Sequence, residues 1–370
     1  MLKAAYNLMI IKIFEKQSYI EPNILPTLSI IIPACNEGLM IKDSIASLLS
    51  QDYPNMEIIV INDRSIDNTG EIIHEIAKID SRIKVIDIIN LPDGWLGKVN
   101  ALSEGTKVAT GQWLLLTDAD VHFENGVLKK AIALAIKEDC QHLTLSPHIK
   151  YRSIILELAV QTFGILLLSA MKAEKIGKHK SKAYIGIGAF NLVNKTFFDT
   201  TEGFEWLKME VCDDLGLGLL VKRHNGKTFF AFSINDISLS WYDSIGAMFN
   251  GLEKNLFAAA MRFSMLRLIV SVIFLWVFSI SPIIMLIYSF KVIYLMPLSI
   301  GVISSLFICG LVSKIRGGSH LSIYFFAPIG IILISLMMLR SGIMCKIRGG
   351  IVWRGSLYGI DKLKAGQRVK

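Results

Sequence analysis

The last 117 residues hold a single acidic side chain, Asp361, against 14 lysines and arginines. A solvated domain carries both signs of charge on its surface, so this stretch is not an ordinary soluble unit. Residues 1–253 have 25 basic and 30 acidic side chains, and the formal net charge of +8 therefore belongs to the tail alone. Positive charge at the ends of apolar runs is not a basic groove, which excludes nucleic-acid binding as its meaning. Cysteine is scarce: Cys35, Cys140, Cys212, Cys309 and Cys345 form no close pair and no CxxC, so neither a disulfide framework nor a zinc site is indicated, and a reducing, cytoplasmic face is the default. The seven histidines show no HxxxH or HxxE spacing, which leaves them no metal role beyond a minor one for His122. There is no internal repeat and no low-complexity linker.

What is abundant is apolar surface. Hydrophobic residues make up 52% of the 370, too many for a soluble enzyme of this length. Three runs without internal charge, 268–290, 292–312 and 321–339, are each about 20 residues long, enough to cross a ~30 Å hydrocarbon core. Three full crossings would put the basic C-terminal residues on the face opposite the acidic part, against the preference of Lys and Arg for the inside. The third run, which holds Pro328 and ends at Arg340, is therefore the candidate for a re-entrant or interfacial segment. At the N-terminus, residues 1–14 are cut by Lys12, too short to span and without a small-residue cleavage site; an amphipathic helix on the membrane surface is expected. Residues 154–170, with Glu157 and Gln161 on one helical face and Lys172, Lys175, Lys178, Lys180 and Lys182 following, read either as a second such helix or as a core helix and a solvated loop.

The first part of the chain alternates short apolar runs with helical patterns. Strands are expected at 28–33, 57–62, 83–88 and 113–117, and helices at 40–50, 70–79 and 99–109. Uniformly apolar strands alternating with helices predict a mostly parallel sheet covered on both faces, with ligands beyond the carboxyl ends of the strands. Asn36 and Glu37, Asp63, and Asp118 with Asp120 stand just past those ends. A single acid there is usually a turn former, but several converge on one rim. Asp118 and Asp120 leave one strand close together, where two like charges need a cation, and hard oxygen ligands select Mg²⁺ or Mn²⁺.

Five ordered segments, PACNE (33–37), NDRSIDNT (62–69), GWLGKVNALSEG (94–105), TDADVHF (117–123) and DDLGLGLLVK (213–222), resemble family 2 glycosyltransferases of the GT-A fold over roughly residues 27–230. The resemblance implies that Asp63 accepts a hydrogen bond from a nucleotide base, most often uracil, with Pro33 and Glu37 lining the same pocket. Lys98 would lie near the diphosphate. Asp120, supported by Asp118, would hold the metal, and Asp214 of the Asp213–Asp214 pair would be the base that deprotonates the acceptor hydroxyl, its pKa raised by its neighbour. A double-aspartate helix cap is the structural alternative for that pair.

Cys35 and Asn62 depart from the family pattern and leave the nucleotide open. The QxxRW motif of processive members is missing, and Glu253, Lys254 and Asn255 occupy its neighbourhood, so one sugar per acceptor is expected. The segment VWRGSLY (352–358) resembles the end of lipid-glycosylating relatives of the ceramide glucosyltransferase-like and carotenoid- or hopanoid-associated kinds. Trp353, Arg354 and Tyr358 suit the headgroup zone. Trp95 and Trp241 fit either sugar or lipid stacking or core packing, and the GxG of residues 186–188 predicts a close backbone approach without a dinucleotide site.

The expected architecture is an amphipathic segment (1–26), an α/β GT-A domain (27–253), transmembrane helices (254–345) and a basic cytoplasmic tail (346–370). The expected activity is metal-dependent, inverting transfer of one sugar from a nucleotide sugar donor, UDP-linked by preference, to a hydroxyl of a membrane lipid acceptor by a multi-pass cell-membrane protein with a cytoplasmic catalytic domain. The alternatives are transfer to a polyprenyl phosphate and a non-catalytic scaffold that only binds nucleotide sugar.

Overall fold

Two runs of branched aliphatic residues set the middle of the sheet. Their side chains alternate between faces: Ile31, Ile59 and Ile61 enter one buried cluster, and Ile30, Ile32, Ile58 and Val60 enter another on the opposite side. The computed structural model describes residues 2–178, 181–317, 320 and 326–369. After α1 (Leu2–Ile10) and the short β1 (Lys12–Ile13), the chain runs β2 (Leu28–Ala34), α2 (Ile41–Leu49), β3 (Met56–Asp63), α3 (Thr69–Ile79), β4 (Ile83–Ile88), α4 (Gly97–Val108), β5 (Trp113–Leu116), β6 (His122–Phe123), α5 (Val127–Lys137), β7 (His142–Ser146) and β8 (His148–Ile149). It continues through α6 (Ile154–Ala170), β9 (Asn191–Asn194), α7 (Lys195–Phe198), α8 (Asp213–Arg223), β10 (Thr228–Phe232), β11 (Ile237–Leu239) and α9 (Ile245–Asn255).

The eight-stranded sheet has the order β1-β10-β7-β9-β5-β2-β3-β4. All its pairs are parallel except those of β9, which runs antiparallel to both β5 and β7. This is the mostly parallel GT-A arrangement that the sequence predicts, with the four expected strands and three expected helices ending within one or two residues of their predicted bounds. Helix α4 lies close on β2 and β3 because Gly105 has no side chain; a Cβ there would meet Ile31 Cγ2 at 2.5 Å.

The sheet begins earlier than residue 27. Lys12 and Ile13 pair with Ala231 and Phe232, and the Glu15 carboxylate accepts the amides of Ile234, Asn235 and Asp236 and the Ser233 hydroxyl. The expected 1–26 segment is thus divided, its helix α1 packing Ala5 and Leu8 in a cluster with Cys309 while the following residues close the sheet edge.

Among the described residues three helices are long and apolar enough to cross a membrane: α10 (Met265–Ser289), α11 (Met296–Gly317) and α12 (Ala327–Arg348). Residues 321–325 of the third predicted run lie outside the described residues, as does Lys180. A π-helical turn over Leu256–Ala260 joins α9 to this region. Helix α12 differs from the other two. Its Gly330 meets Thr162 and Leu158 of α6, while Arg340 and Arg348 pair with Glu253 of α9. Helix α6 thus packs against α12 on one side, with Ile154 and Ile155 exposed, and its Glu157 accepts the His320 amide at 3.0 Å.

The final residues are folded. Strands β12 (Gly350–Trp353) and β13 (Ser356–Gly359) form a hairpin whose two-residue turn, Arg354–Gly355, has φ of +48° and +80°, as a tight hairpin requires. Helix α13 (Ile360–Gly366) follows.

Candidate active site

Loops at the carboxyl ends of β2 and β3 are stapled to each other. Asn36, at φ +57°, accepts the Ile66 amide at 2.9 Å, the Glu37 amide donates to Thr69 Oγ1 at 2.8 Å, and the Gly38 amide to Asp67 at 3.1 Å. This holds PACNE against NDRSIDNT and places Pro33, Glu37 and Asp63 on one rim. Asp63 is buried and receives Arg64 Nε at 2.8 Å and Nη2 at 3.1 Å. The departure at Asn62 has a local cause: its amide donates to Asp87 at 2.8 Å, where an aspartate would face another carboxylate.

The charged centre of the site is assembled from three chain segments. Lys98 stands in the first turn of α4, Asp118 two residues past β5, and Asp213 and Asp214 in the first turn of α8. Lys98 Nζ lies 2.7 Å from Asp118 Oδ1 and 3.2 Å from Asp213 Oδ2. Asp214 accepts the amides of Leu215 at 2.7 Å and Gly188 at 3.2 Å, and the Asp118 amide donates to Gly188 O at 3.1 Å. Gly188 is the wedge between the two acids, since a Cβ there would overlap Asp118 Oδ2. Pro33, Lys98, Asp118, Gly188, Asp213 and Asp214 all line one small cavity. The N-cap position belongs to Cys212, and the aspartate pair follows it in the first turn, where Asp214 still satisfies the Leu215 amide.

Burial sets the electrostatics. It pushes the Asp214 carboxyl up to about 6, with Asp213 adding to the rise and Lys98 opposing it. Asp120 rises to about 7, through burial first and then the charges of Asp118 and Glu37. Burial works against the Lys98 ammonium, yet Asp118, Asp213 and Asp214 outweigh it and hold its pKa above the usual lysine value. Among the described residues Asp120 has no ion-pair partner, while its neighbours Asp118 and Glu37 are paired with Lys98 and Arg354. Hard oxygen donors fit a divalent cation, which at Asp118 and Asp120 would relieve the repulsion that raises the Asp120 pKa. Among the described residues no group of three or more His, Cys, Asp and Glu could hold a metal alone, so the remaining ligands would come from substrate oxygens and water. His122 faces Glu124 at 3.7 Å.

The C-terminal segment, whose Trp353, Arg354 and Tyr358 are expected to suit the headgroup zone, reaches the rim of the site. Arg354 pairs with Glu37, and the Gly97 amide donates to Tyr358 Oη at 3.3 Å. Trp353 covers the Lys254 ammonium, 3.6 Å from ring centroid to Nζ. Buried Glu210 accepts the amides of Cys212, Arg368 and Val369, tying the end of the chain to the loop that leads into α8. Lys254 is a site residue that the sequence did not single out. Burial, and then Lys98, press its pKa down to about 8, and no carboxylate pairs with it among the described residues. Its only sequence signal was its place where a QxxRW arginine region would fall. Trp241 stacks on Tyr242, with centroids 4.9 Å apart, and lies 5.5 Å from Phe163, so it packs in the core, as Trp95 does.

Residues 29–200 match the model of Glycosyl transferase family 2. The poly-beta-1,6-N-acetyl-D-glucosamine synthase of Staphylococcus epidermidis is 42% identical over 94 residues, 25% of this chain and 21% of that protein. The GalNAc(5)-diNAcBac-PP-undecaprenol beta-1,3-glucosyltransferase of Campylobacter jejuni is 33% identical over 104 residues, 28% of this chain and 33% of that protein. The matches thus span from a fifth to a third of these relatives. The solved mannosyltransferase PcManGT of Pyrobaculum calidifontis, in complex with GDP-Man and Mn²⁺, shares the fold at a TM-score of 0.53 and 13% identity, over 92% of this chain and 93% of that one.

Proposed function

We propose that this chain, which carries a family 2 glycosyltransferase domain over residues 29–200, is a membrane-bound, metal-dependent inverting enzyme that moves one sugar from a uridine nucleotide sugar to a hydroxyl of a lipid acceptor. The observation that carries the reading is the Lys98 bridge between Asp118 and Asp213 with Asp214 fixed beside it, which sets one ammonium and three carboxyl groups around one cavity. The donor base lies at Asp63, with Pro33 and Glu37 along the same rim. Lys98 and Lys254 face the diphosphate, and a divalent cation held by Asp118 and Asp120 would offset the charge of the leaving group. Asp214 takes the acceptor proton. Two backbone amides fix its position, and a pKa of about 6 leaves it ionised near neutrality while making it a stronger base than an exposed aspartate.

The lipid acceptor rests on the three apolar helices, which hold the site beside the bilayer and raise the effective concentration of anything dissolved there. The undecaprenol named for the C. jejuni relative supports a lipid-borne acceptor. We read α10 and α11 as the crossing pair. Helix α12 meets α6 with its first turns and α9 with its last, so it runs along the catalytic domain, and the basic tail stays with that domain on the cytoplasmic side.

The test is incubation of membranes containing the chain with a panel of labelled nucleotide sugars, followed by lipid extraction and mass spectrometry. Asp214→Asn is expected to abolish transfer while donor binding persists, and Asp120→Ala to abolish metal-dependent donor binding. If Asp214→Asn turns over fully, the acceptor is a phosphate oxygen that needs no base.

A further inference from the structure

A cavity of about 740 Å³ lies outside the donor site, between the loop that leads into α4 and the C-terminal hairpin. Three lysines reach it from two elements: Lys346 from the last turn of α12, and Lys362 and Lys364 from α13. Among the described residues none of the three has a carboxylate within ion-pair distance, although Asp93 and Asp361 also line the cavity. The excess is therefore one positive charge, and the three ammonium groups are left to water or to an anion. Beside them is exposed apolar surface. Ile347 is 73% exposed and Ile343 is 46% exposed, within one turn of Lys346, and Leu357, which lines the cavity itself, is 59% exposed. A cleft with a net positive charge, edged with apolar side chains at the end of a helix of membrane-spanning length, matches a molecule that is a phosphate at one end and hydrocarbon at the other.

We propose that this cavity binds the headgroup of an acidic phospholipid, a phosphodiester anion whose acyl chains lie along α12. The proposal rests on the membrane reading of the apolar helices and not on the transfer chemistry. Tyr358 gives it a consequence, because its ring lines this cavity while its hydroxyl receives the Gly97 amide at the donor rim. A lipid bound here favours the docked hairpin and links the composition of the bilayer to the donor site.

The test uses the full chain in detergent micelles, titrated calorimetrically with short-chain phosphatidylglycerol, short-chain phosphatidylcholine and inorganic phosphate. Phosphatidylglycerol is expected to saturate one site, with phosphatidylcholine and phosphate weaker by at least about tenfold. Lys346→Gln, Lys362→Gln and Lys364→Gln combined should weaken phosphatidylglycerol at least about tenfold, with circular dichroism and donor binding kept. Asp93→Asn with Asp361→Asn should tighten it. Equal binding of phosphatidylcholine would overturn the proposal, as would a triple variant that binds like the parent. Inorganic phosphate binding as tightly as the lipid would reject a lipid occupant.

Discussion

Lys98 holds together two acids that the chain supplies from separate elements, and its removal is the most informative single change at the site. Without that ammonium, Asp118, Asp213 and Asp214 would face one another with no cation inside the cavity. Lys98→Met is expected to weaken donor binding on the order of a hundredfold, since the proposed charge-assisted contact to the diphosphate is lost along with the neutralising partner. It also has a signature in pH. With Asp214 in its proposed role as base, transfer requires its ionised form, so activity should fall as pH drops through about 6, not through the usual aspartate range. Lys98 lowers that pKa, so the variant's acid limb should move to higher pH. A pH profile of kcat/KM for parent and variant checks both, and an unmoved limb would separate Lys98 from the base.

Individual elements show where the sequence was informative and where it was silent. Glu57 on β3 ties three parts of the sheet together, accepting Ser29 Oγ of β2 at 2.5 Å, the Thr110 amide at 2.7 Å and Lys84 Nζ of β4 at 2.6 Å. Burial opposes its ionisation, but these donors win and pull its pKa down to about 2. A depressed carboxylate pKa stabilises the fold above the unfolded value of about 4.5, and that stability is lost as pH falls toward 2. Glu57→Gln should therefore lower the thermal midpoint at pH 7 and converge with the parent near pH 2, as thermal denaturation at several pH values will read. At the β5 rim, Gly188→Ala should cost at least about tenfold in activity by displacing the Asp118 carboxylate, with donor-free stability less affected. The strands β2, β3 and β5 and the rim acids were legible because buried parallel strands are uniformly apolar and the residues after them are not. Strand β1 was not legible, since two residues carry no periodicity. Nor was the antiparallel β9, whose place in the sheet depends on long-range pairing. Arg354 reaching Glu37 was hidden for the same reason: the contact joins residues 317 positions apart.

At the scale of the whole molecule, charge and packing answer the same question. Three complete crossings would separate the C-terminal residues from the catalytic domain, yet Arg354 pairs with Glu37, and Glu210 accepts the amides of Arg368 and Val369. A chain end that hydrogen-bonds the loop before α8 cannot lie across a ~30 Å hydrocarbon core from it. The proposed even number of crossings, with α10 and α11 as the pair, would reconcile those contacts with the preference of Lys and Arg for the cytoplasmic face. Three exposed positions report on this: Ile66 in the catalytic domain, Tyr294 between α10 and α11, and Ala365 in α13. In a background with the half-buried Cys35 replaced by serine, Ile66→Cys and Ala365→Cys should react with a membrane-impermeant maleimide only in inverted vesicles, and Tyr294→Cys only in right-side-out ones. Labelling of Ala365→Cys together with Tyr294→Cys would instead make α12 a third crossing and would require the hairpin to leave the donor rim whenever the chain is in a bilayer.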